Sequence, residues 1–215
     1  MSSQYRLLSL FAAAALVSTP LSAPAFADEC GSNALAAVSS KLQNAPTALP
    51  SYSADVLIHA RMHGFPFLGM NLSGESTYER PGKYELLLNN PPRFADGVSD
   101  LVHELGEDIT SSDHWNAYDA SAACAPAGKL LVHMIPKAAG ATKTVDLTVD
   151  TASAHVEKAT FVRNDGTITV EQRFDSVGGH NVIVHQQLEL LLSRVKADVT
   201  VDYHDINLTT VVAGQ

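Results

Sequence analysis

The sequence predicts an α+β protein with a mostly antiparallel sheet, because alternating strands joined by short turns outnumber its helical stretches. The strongest signal lies in residues 129–174, which contain several short strands in succession. Residues 144–150 alternate without a fault between apolar and polar, as in a strand with one face on an apolar interior. Asp165-Gly166 then supplies the positive φ angles of a tight hairpin turn. The few predicted helices lie apart from the strands, which is typical of the α+β class.

The chain is expected to be exported and processed. Arg6 provides a positive charge, residues 7–17 form an apolar run of eleven, and Ala25-Phe26-Ala27 fits a small-x-small cleavage site. The apolar run is too short to cross a bilayer as a helix. We therefore predict a signal peptide at residues 1–27 and a single soluble periplasmic domain at 28–215, without stable membrane insertion. A buried N-terminal helix is the alternative.

Composition and charge narrow the class of partner. The 215 residues are 46% apolar and 17% charged, which suits one globular domain. The formal net charge of −9 disfavours nucleic acid and anionic lipid headgroups, since both bind chiefly through Lys and Arg. Two cysteines, Cys30 and Cys124, are expected to form a disulfide in an oxidising compartment, the alternative being two unpaired buried thiols.

Apolar spacing divides the chain into elements. Residues 30–45 carry a helical stripe, residues 52–62, 68–79 and 83–88 form a three-stranded meander, and residues 98–105 repeat the helical spacing. Residues 107–128 are polar and small, with no strand predicted before the sheet of residues 129–174. Residues 181–195 fit either a helix or a strand, and the neighbouring strands favour a strand. Residues 196–208 form a last strand, so we expect about nine strands and two or three helices.

Groupings that could carry chemistry are absent or incomplete in the sequence. His59 and His63 lie across a strand end, and His180 and His185 flank a Gly-Gly turn, so neither pair converges as metal ligands do on a helix. There is no G-x-S-x-G, no C-x-x-C and no glycine-rich phosphate loop. We therefore expect no enzymatic activity, no metal and no cofactor. A hydrolase whose catalytic residues are scattered along the chain is the enzymatic alternative.

A wide apolar face is the main candidate for a binding site. Two short helices with narrow apolar stripes would cover only part of it. The face is either an ordinary core or the lining of an incompletely closed barrel with a cavity for a lipid or acyl chain. Flexible methionines favour the cavity. The predicted lipid-binding residues are Ile58, Met70, Leu72, Leu86, Leu88, Val132, Met134, Val145, Leu147, Val149, Ile168 and Val170.

Three segments carry a resemblance to a known family. Residues 74–81 (GESTYERP), 111–118 (SSDHWNAY) and 135–138 (IPKA) resemble segments of the periplasmic outer-membrane lipoprotein carriers, the LolA/LolB-like superfamily. The resemblance implies an incomplete, curved antiparallel β-barrel (a half-barrel) with short helices covering the concave face. It also implies a monomeric, non-enzymatic carrier without a cofactor. Such a carrier holds an acyl chain of a lipoprotein and exchanges it with membrane-bound donor and acceptor proteins.

Two departures from the family pattern refine this expectation. The Asp-Gly-Lys-type hairpin of the family is missing between Leu88 and Ser111, which predicts a smaller barrel. Arg61 is the candidate for the family's gating arginine, although it falls on the polar side of its strand. We expect a carrier that shields a lipid or acyl chain from water. The alternative is a periplasmic protein-interaction module without lipid cargo, which would bind a partner through an open sheet edge.

Overall fold

Ten antiparallel strands form one sheet in the part of the chain that the structure describes. The structure is a computed structural model, and it describes residues 29–48, 51–64, 69–79, 83–89 and 116–209. The predicted signal peptide and the predicted helix at 98–105 lie outside these residues. The elements are α1 (Glu29–Ala48), β1 (Ser51–Met62), β2 (Gly69–Glu79), β3 (Lys83–Leu88), β4 (Tyr118–Ala125), β5 (Lys129–Pro136), β6 (Thr142–Asp150), β7 (Val156–Arg163), β8 (Gly166–Val177), β9 (His180–Leu192) and β10 (Lys196–Thr209).

The sheet joins two meanders through the first and last strands. Its order is β3-β2-β1-β10-β9-β8-β7-β6-β5-β4, so all consecutive strands are neighbours except β3 and β4. Strand β1 pairs with β10, from Ser51 opposite Thr209 to Met62 opposite Ala197. Strands β3 and β4 are the two edges and do not pair with each other, so the sheet is open. The antiparallel prediction is confirmed, and the architecture fits an open, curved sheet.

Helix α1 is fastened to the β4 end of the sheet. It confirms the predicted helix at residues 30–45 and packs mainly on β4 and β5. The predicted disulfide is confirmed: Cys30 on α1 and Cys124 on β4 are bonded, with their Cα atoms 6.0 Å apart. Gly31 lies so close to β4 that an added Cβ would overlap the backbone carbonyl oxygen of Ala122. Among the described helices, none is both long and apolar enough to cross a bilayer.

Strand β4 corrects the prediction that residues 107–128 contain no strand. It pairs with β5 along its whole length, from Tyr118 opposite Pro136 to Ala125 opposite Lys129. Its sequence, YDASAACA, has no β-branched residue and only one aromatic residue, so local propensity gave no signal for it. Pairing with β5 therefore makes residues 118–125 an edge strand. The described residues contain ten strands rather than about nine, and one α-helix, while the second predicted helix lies outside them.

Two hairpin turns were predicted from glycine, and one is shifted. Arg163 pairs with Gly166, so the turn residues between β7 and β8 are Asn164 and Asp165, one position before the predicted Asp165-Gly166. Gly166 has a φ of 148°, and an added Cβ there would overlap the carbonyl oxygen of Leu191 on β9.

The turn between β8 and β9 is Gly178-Gly179 as predicted, with φ values of 58° and 80°. Residues 181–192 belong to strand β9, which confirms the strand interpretation.

The far end of the β8–β9 hairpin is no longer hydrogen-bonded to β10. Strand β9 has an extra residue at Val184, and its pairing with β10 stops at His185 opposite Asp202. Beyond this point, Val182 joins a second buried cluster with Tyr52 and Tyr78, which continue the buried alternation of β1 and β2. Bulges bend a strand because one extra residue has no partner across the ladder. The bent hairpin therefore covers the β1–β2 end of the same sheet face.

Candidate functional site

One face of the sheet carries a continuous cluster of buried apolar side chains, which we call the apolar face. Every strand contributes, because successive side chains of a strand alternate between its two faces. In β6, for example, Val145, Leu147 and Val149 are buried, while Asp146 is exposed. Together these side chains form the larger of the two clusters of buried apolar residues in the described part of the chain.

The structure brings all twelve predicted lipid-binding residues together on the apolar face. Nine of them are between 0% and 8% exposed: Ile58, Leu72, Val132, Met134, Val145, Leu147, Val149, Ile168 and Val170. The other three are partly buried and pack against the same cluster: Met70, Leu86 and Leu88. The predicted face assignment therefore agrees with the structure, while lipid binding by these residues stays a prediction.

The apolar face also includes residues that were not predicted from the sequence. They come mainly from β7, β9 and β10, and the alternation of apolar residues along those strands was the signal for them. Strand β4 supplies one more, Ala122, whose small side chain leaves room for α1. The missed residues are Val38, Val56, Ala60, Ala122, Leu130, Ala154, Val156, Ala159, Phe161, Leu188, Leu190, Ala197, Val199 and Val201.

The described helix covers only one end of the apolar face. Val38 of α1 is 1% exposed, and Ala34 and Leu35 pack against the cluster at β4 and β5. Arg61, the candidate gating residue, is exposed on the opposite face of β1, where its backbone lies opposite Asp198. The strand itself separates the guanidinium from the apolar face. A gating role for Arg61 therefore stays a prediction without structural support.

Polar side chains are rare on the apolar face. Among the described residues, the buried polar or charged side chains are Ser76, Gln172 and Gln186, and none of the three is ionisable. Gln172 on β8 lies opposite Gln186 on β9. Gln186 accepts a hydrogen bond of 2.8 Å through Oε1 from the hydroxyl of Tyr203 on β10. Both amide atoms of Gln172, Oε1 and Nε2, are buried without a hydrogen-bond partner.

The opposite face carries the charged groups. Histidines pair with carboxylates on neighbouring strands, His133 Nδ1 with Asp146 at 2.6 Å and His185 Nδ1 with Asp202 at 2.7 Å. Such exposed pairs contribute little to stability. Within the described ranges, no three His, Cys, Asp or Glu side chains converge as metal ligands would. His63, another histidine considered as a metal ligand from the sequence, contacts Asp198 through Nε2.

A capped turn accounts for the most strongly perturbed carboxyl group. Asp150 accepts hydrogen bonds from the backbone N–H and hydroxyl of Ser153, and from Nζ of Lys129 at 3.1 Å. The bonds from Ser153, then the one from Lys129, hold the pKa of Asp150 well below its usual range. Lys129 also contacts Glu157, and that hydrogen bond raises the pKa of the lysine. These hydrogen bonds fix the turn between β6 and β7.

Comparisons with known proteins find similar folds. No protein-family model and no curated protein sequence matches the chain. A solved DUF1329 family protein from Desulfovibrio piger matches 86% of this chain and 94% of its own, with a TM-score of 0.58 and 10% identity. A LolA superfamily protein from Nitrosomonas europaea matches 82% and 94%, with a TM-score of 0.52 and 13% identity. A putative outer membrane lipoprotein-sorting protein domain from Vibrio parahaemolyticus matches 84% and 95%, with a TM-score of 0.50 and 9% identity.

These similarities concern the fold. At 9% to 13% identity, the three structures share with this chain the path of the backbone over most of its length. The resemblance to the LolA-like superfamily predicted from the sequence is thereby confirmed for the fold. Function depends on the residues of a site rather than on the fold that carries it.

Proposed function

We propose that this chain is a periplasmic carrier that binds a lipid or acyl chain on its apolar face and shields it from water. The observation that supports this most is the extent of that face, to which all ten strands contribute while the described helix covers only the β4–β5 end. Each buried methylene of an acyl chain contributes about 0.8 kcal/mol, so a single chain binds tightly but exchangeably. The binding requires neither a cofactor nor catalysis.

Export is part of the proposal. Residues 1–27 act as the signal peptide, and the mature domain begins at Asp28. The disulfide between Cys30 and Cys124 supports an oxidising compartment, because such bonds persist in the periplasm and are rare in the cytosol. Membrane-bound donor and acceptor proteins would load and unload the carrier, as the resemblance of residues 74–81, 111–118 and 135–138 to the lipoprotein carriers implies. The intact mass of the exported protein checks the cleavage site.

Lipid extraction and native mass spectrometry of the purified, exported chain test the carrier function. We expect co-purifying lipid and binding of added acyl chains in a one-to-one complex. Protein that contains no lipid and binds none of the added acyl chains would reject the carrier. That outcome would instead favour the interaction module, whose partner would pair with the open edge of β3 or β4.

Paired variants locate the binding surface. Leu147 is 3% exposed on the apolar face, and Asp146 next to it is exposed on the other. Leu147→Glu should weaken lipid binding far more than Asp146→Ala, because it places a charge among apolar side chains. Equal losses in both variants would contradict the assignment of the faces.

A milder pair of variants tests the same surface with less disturbance of the fold. Leu86 and Leu87 are neighbours on the edge strand β3, where Leu86 packs on the apolar face and Leu87 is 58% exposed. Leu86→Gln and Leu87→Gln make the same chemical change on opposite faces. We expect weaker lipid binding only in Leu86→Gln, with both variants showing cooperative thermal unfolding.

A further inference from the structure

Gln172 is a polar side chain at a position where the pattern of its strand calls for an apolar one. It follows Ile168 and Val170 at a spacing of two on β8, and these two residues are 0% and 2% exposed. Gln172 itself is 9% exposed, and the residues on either side of it, Glu171 and Arg173, are exposed on the other face. Its amide therefore lies on the apolar face.

The amide of Gln172 lacks the partners that a buried amide normally has. Nε2 and Oε1 are both buried and unbonded. The residue opposite it on β9, Gln186, already accepts a hydrogen bond from the hydroxyl of Tyr203 through its own Oε1. A buried donor or acceptor without a partner destabilises the fold, and most such groups in native proteins are satisfied. Leucine or methionine at this position would avoid that cost, so an amide here indicates a partner that binds from outside the chain.

The surroundings restrict the chemistry of that partner. No Asp, Glu, Lys or Arg is among the buried residues of the described chain, so an ionised group beside Gln172 would lose hydration without gaining a buried counter-ion. An uncharged group with a strong acceptor avoids this cost. The carbonyl of an ester or amide linkage fits, since it accepts from Nε2–H while its acyl chain lies along the apolar side chains of β8 and β9.

We propose that Gln172 binds the uncharged carbonyl that links an acyl chain to its headgroup, with Nε2 donating to the carbonyl oxygen. Oε1 remains available to accept from a hydroxyl or amide N–H beside that carbonyl. The inference rests on the proposed carrier function and adds the class of ligand, an ester- or amide-linked acyl chain rather than an ionised fatty acid. Gln186 lies opposite Gln172 across the ladder and is bonded to Tyr203, and we call these three side chains the polar patch.

Ligands that differ at the carbonyl test directly whether Gln172 binds it. Binding of 1-dodecanoylglycerol, its ether analogue 1-O-dodecylglycerol and N-dodecanoylethanolamine is measured by calorimetry with the wild type and Gln172→Leu. We expect the wild type to prefer the two carbonyl ligands over the ether. Gln172→Leu should lose about fivefold to tenfold in affinity for the carbonyl ligands, the effect of one hydrogen bond, and bind the ether at least as well as the wild type. The ligand that loses more identifies the linkage, ester or amide.

Two controls separate this role from a structural one. Gln187→Leu makes the same change on the exposed face of β9 and should leave all three affinities unchanged. Gln172→Met keeps an unbranched side chain of similar length, and it should behave as Gln172→Leu does. Both Gln172 variants should unfold at a higher urea concentration than the wild type, because they remove an unbonded buried amide.

Vibrational spectroscopy of the ligand carbonyl gives a signal that a change in packing alone would not alter. With a ¹³C-labelled ester carbonyl, the stretching band of the bound ligand should shift to lower frequency in the wild type and return towards the unbonded value in Gln172→Leu. Equal loss of affinity for the ester and the ether, or an unshifted band in the wild type, would overturn the inference while leaving the carrier function intact. If the wild type binds none of the three ligands, the carrier function fails and the inference fails with it.

Discussion

The disulfide between α1 and β4 gives the sharpest prediction about stability. It joins Cys30 and Cys124, 94 residues apart in sequence. On the chain-entropy model, closing a loop of this length stabilises the folded state by about 4–5 kcal/mol, because it removes conformations from the unfolded chain. Domains are typically stable by about 5–15 kcal/mol, so this one bond provides a large share of the total. Removing it should leave a protein that is only marginally stable.

Urea unfolding measures the effect. The double variant Cys30→Ser/Cys124→Ser is compared with the oxidised wild type at pH 7, using circular dichroism. With an m-value of about 2–3 kcal/mol per molar urea, the midpoint should fall by about 2 M. The wild type treated with reductant should move to the midpoint of the variant. A decrease below about 1 kcal/mol would refute the reasoning, since the loop could not then be restricting the unfolded chain as the model requires.

Three further predictions concern the helix contact and the β6–β7 turn. Gly31→Leu should destabilise the fold by about 1–3 kcal/mol in urea unfolding, because the added side chain overlaps the carbonyl of Ala122; an unchanged midpoint would mean that α1 can move away freely. Asp150→Ala should cost about 1–2 kcal/mol at pH 7, and the difference from wild type should shrink as the pH falls below about 4, since a lowered pKa stabilises only while the carboxyl is ionised. A difference that stays constant down to pH 2 would contradict this. Burial lowers the pKa of His155, so the neutral form is favoured in the folded state and stability should decrease as the pH falls below about 6.5; His155→Phe should flatten the midpoint between pH 8 and pH 5, and a variant with the wild-type slope would exclude His155 as the cause.

The sequence predicted the strands with strong alternation and the face that each strand buries. In β1 and β6, every second residue is apolar, and the structure buries those residues as predicted. The glycine pair at Gly178-Gly179 likewise located a hairpin, because few other residues adopt its φ angles. These features depend on the chemistry of adjacent residues, so they are visible without knowledge of the tertiary structure.

Local sequence patterns do not predict strand β4 or the polar patch of Gln172, Gln186 and Tyr203. Residues 118–125 are mostly small, and only pairing with β5 makes them a strand. Gln172 has the same alternation as Ile168 and Val170, but its side chain is polar, so composition placed it outside the apolar set. The structure shows it buried beside Gln186, a residue on another strand whose register no local pattern specifies.

The sequence by itself determined that this chain forms a sheet with one wide apolar face and a pair of cysteines suited to an oxidising compartment. It did so because side-chain alternation and residue type are local properties. Only the tertiary structure decided that β1 pairs with β10, that α1 is held on β4 by the disulfide, and that an unbonded amide lies among the apolar side chains. These depend on contacts between residues far apart in the chain, where the free energy of the whole fold selects one pairing among many that local patterns allow.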